Sequence, residues 1–290
     1  MRDTFIKLHL SILLAGFTGL FGKWVSLSEG LLVCYRMLFA AIILFLILWM
    51  GKKLQRLSIR EMLKIGGTGF LLGLHWVFFY GSIKASNVSV GVVCFSLVGF
   101  FTAILEPLIN RRRISMRQLG YSLFAVLGIL LIFQFDIRYR TGILLGVVST
   151  ALAALFTIVN KRVGKQYTSS TMLLYEMSGG FLGLVCLLPV YFYFFSVESI
   201  FPSVTDLFYL LALALFCTVF LYLLQIQALK SISAFTVNLS YNLEPVYSIL
   251  LAMIFFGEAK ELSGMFYLGL GLIVCSVLLQ TVDVFRRRNI

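Results

Sequence analysis

The amino-acid sequence predicts an all-α polytopic membrane protein with ten transmembrane helices, arranged as two inverted five-helix repeats. Three observations carry that prediction: a composition too apolar for a soluble core, basic residues gathered in alternate loops, and an internal repeat. Of 290 residues, 60% are Ala, Val, Ile, Leu, Met, Phe, Trp, Tyr or Cys, a further 24 are Gly, and 12% are charged. One membrane-spanning helix takes roughly 20 mostly apolar residues, so the stock suffices for about ten. The charged share is about half that of an ordinary soluble domain. A soluble enzyme, a fibrous protein, a disordered chain and a disulfide-stapled secreted domain are thereby excluded.

Apolar runs separated by short polar breaks fall at 8–26, 30–50, 63–83, 86–110, 117–135, 142–160, 171–195, 204–226, 231–256 and 263–283. The first follows Arg2 and Lys7 and lacks a clean small-residue cleavage site, so it reads as an uncleaved first helix. Arg36 interrupts the second run, His75 lies halfway along the third, and Glu176 interrupts the seventh. The fourth run ends near Glu106-Pro107, and the ninth contains Glu244-Pro245. Cys34, Cys94, Cys186, Cys217 and Cys275 all sit inside apolar runs without a CxxC. They read as small buried hydrophobes, with no disulfide, metal or other cofactor implied.

Orientation follows from Lys and Arg in the loops. With a cytoplasmic N-terminus, 18 of them fall inside and 4 outside (Lys84, Arg138, Arg140 and Lys260). Both termini are therefore expected in the cytoplasm. The net charge of +12 becomes a topology signal beside anionic membrane lipids, not a footprint for nucleic acid.

The repeat is visible in two places. Tyr35-Arg36-Met37 matches Tyr175-Glu176-Met177, and the stretch from Lys84 to Ser115 overlays Lys230 to Glu261 without a gap. Five helices per half is an odd number, so the halves, 1–138 and 139–290, run in opposite senses. Inverted repeats of this kind are a device of secondary transporters, with the substrate near the midplane between halves.

These features resemble the drug/metabolite transporter superfamily, specifically the EamA-domain permeases of ten helices in two EamA repeats. The likeness rests on Tyr35-Arg36-Met37-Leu38-Phe39-Ala40, on Leu243-Glu244-Pro245-Val246 with Gly257-Glu258, and on Gly269-Leu270-Gly271-Leu272-Ile273. It covers nearly the whole chain. The first half departs from it, since Val98-Gly99 stands where Glu244-Pro245 does, and Arg112 where Glu258 does. The resemblance implies transport of a small metabolite or drug-like solute across the inner membrane, often outward and ion-coupled.

Ionisable groups within hydrocarbon are costly and usually face a bundle interior or a wet cavity. Glu244 lies about 20 Å into the ninth segment, near mid-bilayer. Pro245 cannot donate a hydrogen bond, which frees the carbonyl of Tyr241 one turn back. Glu244, that carbonyl and the amides of Asn238 and Asn242 form a candidate site for a proton, a cation or an amine. His75 can relay protons or bind an anionic group. Its neighbours Trp76 and Phe79 can stack a planar substrate or simply pack. Arg36 either binds substrate or pins a neighbouring helix through backbone carbonyls, and the second reading is preferred. Lys23 and Glu176 are read the same way, and Glu106 is expected to pair with Arg111 to Arg113.

A membrane-embedded enzyme has less support, because HExxH, GxSxG, clustered aspartates and Cys/His metal spacing are missing. A channel or a lipid or glycolipid flippase would share the repeats and short loops. The reading carried forward is a non-enzymatic permease, monomeric or homodimeric, working by alternating access on a small molecule.

Overall fold

The computed structural model describes residues 2–288 apart from Asp136, Glu198, Asn242 and Glu261, and those residues form no strand. The helices are α1 (Arg2–Trp24), α2 (Glu29–Met50), α3 (Ile59–Ala85), α4 (Val88–Val93), α5 (Val98–Ile109), α6 (Met116–Phe135) and α7 (Arg140–Val163). They continue as α8 (Ser169–Phe194), α9 (Val204–Ala214), α10 (Leu221–Ser231), α11 (Ala234–Tyr241), α12 (Glu244–Phe256) and α13 (Gly264–Arg288). A 3₁₀ turn at Cys94–Leu97 joins α4 to α5, and a π-helical stretch at Leu215–Phe220 joins α9 to α10.

Among the described residues eight helical stretches are long and apolar enough to cross a bilayer, and Glu244–Phe256 and Gly264–Ser276 are shorter apolar helices. The ninth expected segment differs from a single rod. It is two half-helices meeting just before Glu244, because Pro245 occupies the first turn of α12 and has no N–H with which to continue α11. Polar side chains set other boundaries. Ser58 with Glu61 and Ser203 with Asp206 form capping boxes at α3 and α9, and Asn87 caps α4 through the N–H of Val90 at 2.9 Å. Gly257 ends α12 in the left-handed conformation at φ 67°, which a residue without Cβ adopts freely.

The bundle interleaves early and late helices. α3 packs along α7 and α8, α2 against α8, α1 against α10 and α12, and α6 against α13. Small residues permit the closest approach. A methyl on Gly69 would overlap the Glu176 backbone, and one on Gly128 would lie 2.6 Å from the carbonyl oxygen of Gly269. Large apolar side chains cover the outside, among them Ile47, Leu130, Leu182, Phe208, Leu250 and Leu268. Water would penalise such a coat, whereas hydrocarbon solvates it, and the helices satisfy their backbone internally. The chain is a multi-pass membrane protein.

Candidate functional site

A narrow cavity inside the bundle is lined by Arg36, His75, Trp76, Phe79, Asn238, Tyr241 and Glu244. The fold thus gathers seven of the eight residues singled out in the sequence; the eighth, Asn242, lies outside the described residues. The open space is about 40 Å³, room for a few water molecules and no more.

Glu244 enters from the break between α11 and α12 and is 7% exposed. Among the described residues no donor lies within hydrogen-bonding distance of its carboxylate. Arg36 is the charged group whose field reaches it, yet the two do not form an ion pair. Asn238, one helical turn below Tyr241, donates to Thr102 Oγ1 at 2.8 Å, and the Tyr241 hydroxyl donates to Ser11 Oγ at 3.0 Å. Those two polar groups tie α11 to α5 and α1.

Arg36 is buried and fully engaged. Its Nε donates to Thr218 Oγ1 at 2.8 Å, Nη1 to the Tyr80 hydroxyl at 2.9 Å and Nη2 to the Cys217 carbonyl at 2.7 Å. Its Cζ lies 3.6 Å from the centre of a Trp76 ring. The π-helical stretch explains the Cys217 contact: widening the turn takes its carbonyl out of the regular helical ladder. Thr218 Oγ1 in turn donates to the carbonyl of Leu213, five residues back. The guanidinium binds α2 to the junction of α9 and α10, and it lines the cavity beside Trp76.

His75 sits against Ser149 of α7. Its Nδ1 lies 2.9 Å from the Ser149 carbonyl and 2.8 Å from Ser149 Oγ, while that hydroxyl donates to the His75 carbonyl at 3.0 Å. A carbonyl acceptor assigns the proton to Nδ1, leaving Nε2 without a partner among the described residues. Phe79 and Phe95 flank the ring, with centroids 6.0 and 5.8 Å away.

Gln225, Tyr222, Thr18, Phe95 and Phe156 also line the cavity and were not singled out in the sequence. A signal for three of them was present. Extending the Lys84–Lys230 overlay upstream places Trp76 on Tyr222 and Phe79 on Gln225, and within the overlay Phe95 falls on Tyr241. Gln225 Oε1 is buried with no hydrogen-bond partner among the described residues.

The remaining ionisable groups lie elsewhere. Lys23 pairs with the buried Glu258 at 3.2 Å, and Glu258 also accepts from the N–H groups of Val88 at 3.1 Å and Ser89 at 2.9 Å. Glu176 accepts from Asn160 Nδ2 at 2.7 Å. Glu106 forms no ion pair with Arg111–Arg113 among the described residues, although the charge of Arg112 reaches it along with that of Lys161, and the N–H of Phe235 faces its carboxylate. The reversal at Arg111, φ 51°, redirects the chain that carries those arginines. No group of three or more His, Cys, Asp or Glu stands close enough to hold a metal among the described residues.

The EamA-like transporter family matches this chain twice, over residues 5–134 and 140–282. An uncharacterized transporter, YxxF, of Bacillus subtilis is 24% identical over 261 residues, spanning 89% of this chain and 83% of that protein. Another uncharacterized transporter, from Archaeoglobus fulgidus, is 27% identical over 243 residues, spanning 82% and 83%. A crystal structure of a protein 15% identical superposes with a TM-score of 0.67, covering 97% of this chain and 98% of that one. That likeness concerns the fold.

Proposed function

This chain belongs to the EamA-like transporter family, and from that premise we propose that it is a secondary transporter carrying a small metabolite or drug-like solute across the cytoplasmic membrane by alternating access. In this reading it is an ion-coupled exporter with ten spans, both termini in the cytoplasm, and halves at 1–138 and 139–290 of opposite orientation. Packing supports the inverted arrangement. Two of the main contacts between the halves come in matched pairs: α3 with α7 answers α10 with α1, and α3 with α8 answers α9 with α2. Lys84 donates to the carbonyls of Val25 and Leu27, and Lys230, its mate in the overlay, donates to that of Tyr167.

One observation carries the proposal: a buried carboxylate, without a hydrogen-bond donor among the described residues, at a helix break in a cavity lined from both halves. An unpaired carboxylate in such a place is too costly to remain bare, so it takes up a proton or a cation. Glu244 is assigned that role. Gln225 Oε1 and His75 Nε2 supply further acceptors for cargo, and Trp76, Phe79 and Tyr222 supply ring faces. The cavity is narrow and largely enclosed around the site, which suits an occluded carrier better than an open channel.

A metabolite comparison of cells with and without the protein identifies the cargo, and proteoliposomes then test the carboxylate. Glu244→Gln is expected to abolish saturable, proton-gradient-driven transport while the protein inserts and elutes as a single folded species. Undiminished transport by the variant refutes the assignment. Movement of labelled lipid in place of the solute supports the flippase reading.

A further inference from the structure

Two cavities meet at the loop between α2 and α3. The larger, about 980 Å³, is a groove on the flank of the bundle between α2, α3 and α8. Its floor is the seam where Gly66 and Gly179 touch backbone to backbone, and its walls include the exposed side chains of Phe45, Leu63 and Leu182. Gly67 opens into it, and a Cβ there would meet nothing within 4 Å. The smaller cavity, about 450 Å³, is lined by Lys52, Lys53, Gln55, Thr168 and Ser170 at the helix ends. Leu54 lines both, and Tyr175 of the groove donates to the Gln55 carbonyl at 2.9 Å, so the two spaces share a wall.

Their chemistries are opposite. The groove offers hydrocarbon, and the adjoining cavity offers two ammonium groups with no hydrogen-bond or ion-pair partner among the described residues. The surrounding stretch adds Arg56, Arg60 and Lys64, against the single carboxylate of Glu61. That carboxylate is already engaged by Ser58 Oγ at 2.6 Å and the Tyr167 hydroxyl at 3.0 Å. Local countercharge is therefore lacking at the end of the groove that lies at the helix ends. A second copy of this chain docked symmetrically here would bring the same five cations against these, with mutual repulsion. An amphiphile with a negative head answers both halves of the problem.

We propose that an anionic phospholipid occupies this pair of spaces, an acyl chain lying over Gly67 in the groove and the phosphate headgroup between Lys52 and Lys53. A zwitterionic headgroup would bring its own cation toward the lysines, so the site discriminates by charge. Gly67 matters because any side chain at that position would stand where the acyl chain runs.

The test uses delipidated full-length protein in neutral detergent, with thermal unfolding and native mass spectrometry as readouts. Added phosphatidylglycerol is expected to raise the midpoint by about 3 °C or more, and phosphatidylcholine and glycerol phosphate are expected to do markedly less. Lys52→Gln with Lys53→Gln is expected to erase the difference between the two lipids, and Gly67→Leu to reduce lipid adducts without lowering the lipid-free midpoint. Equal shifts from both lipids, an equal shift from glycerol phosphate, or full retention of the phosphatidylglycerol effect in the lysine variant would each overturn the proposal. If a variant unfolds early, adduct counts on the wild-type protein still decide, since equal retention of the two lipids refutes selectivity.

Discussion

Replacing Arg36 by Lys keeps a positive charge in the bundle and removes the planar fork that carries it. The guanidinium spends three hydrogen bonds, at 2.8, 2.9 and 2.7 Å, on Thr218, Tyr80 and Cys217. An ammonium reaching from the same Cα can keep one of them. Charge-assisted hydrogen bonds contribute about 1.5–3 kcal/mol each in soluble proteins, whereas interhelical bonds within membranes average about 0.6 kcal/mol. Losing two therefore costs roughly 1 kcal/mol by the membrane value and about 3 kcal/mol or more by the soluble one. The stacking on Trp76, 3.6 Å from Cζ, adds about 1–2 kcal/mol for a desolvated cation. The total, about 2–8 kcal/mol, corresponds to a fall in melting temperature of at least about 4 °C. Thermal unfolding of purified Arg36→Lys in detergent measures it. Thr218→Val supplies the second edge of a double-mutant cycle: destabilising alone, it should cost distinctly less in the Lys background. A melting temperature within a degree of wild type, or full additivity with Thr218→Val, refutes the view that Arg36 pins α2 to the π-helical stretch.

Further expectations concern helix ends and seams. Glu258→Gln removes the charge that holds Lys23 and weakens the cap on α4, so a loss of about 1–3 kcal/mol is expected, visible as a lower unfolding midpoint. Gly69→Ala forces a methyl into the Glu176 backbone and should cost about 1–3 kcal/mol or prevent accumulation of folded protein. Gly67→Ala, two residues away with open space at its Cβ, should be neutral or slightly stabilising in the same unfolding assay.

Much of the architecture is legible from composition and periodicity because hydrocarbon forces every span to be a helix. The break before Glu244 could be anticipated in part, since Pro245 frees a carbonyl; that it divides the segment into α11 and α12 depends on packing against α5 and α1. The π-helical stretch at Leu215–Phe220 leaves no mark in an apolar run, and its purpose emerges only with Arg36 beside it. Gln225 and Tyr222 were hidden for a different reason, in that each is unremarkable until aligned with its mate in the other half. Glu106 shows the limit of neighbour reasoning. Three arginines follow it in sequence, yet among the described residues none forms an ion pair with it; the charges of both Lys161 and Arg112 reach the carboxylate, and the start of α11 lies beside it.

Glu258 bears on how the bundle can come apart. One completely buried side chain holds Lys23 at the end of α1, the first two amides of α4 and, through its own backbone, the turn that follows α12. Moving any one of those three ends away strands the charge on the other two. Partial separation is then worse than none, so parting at this corner is all-or-none: the elements leave together, as a cooperative step, or stay together.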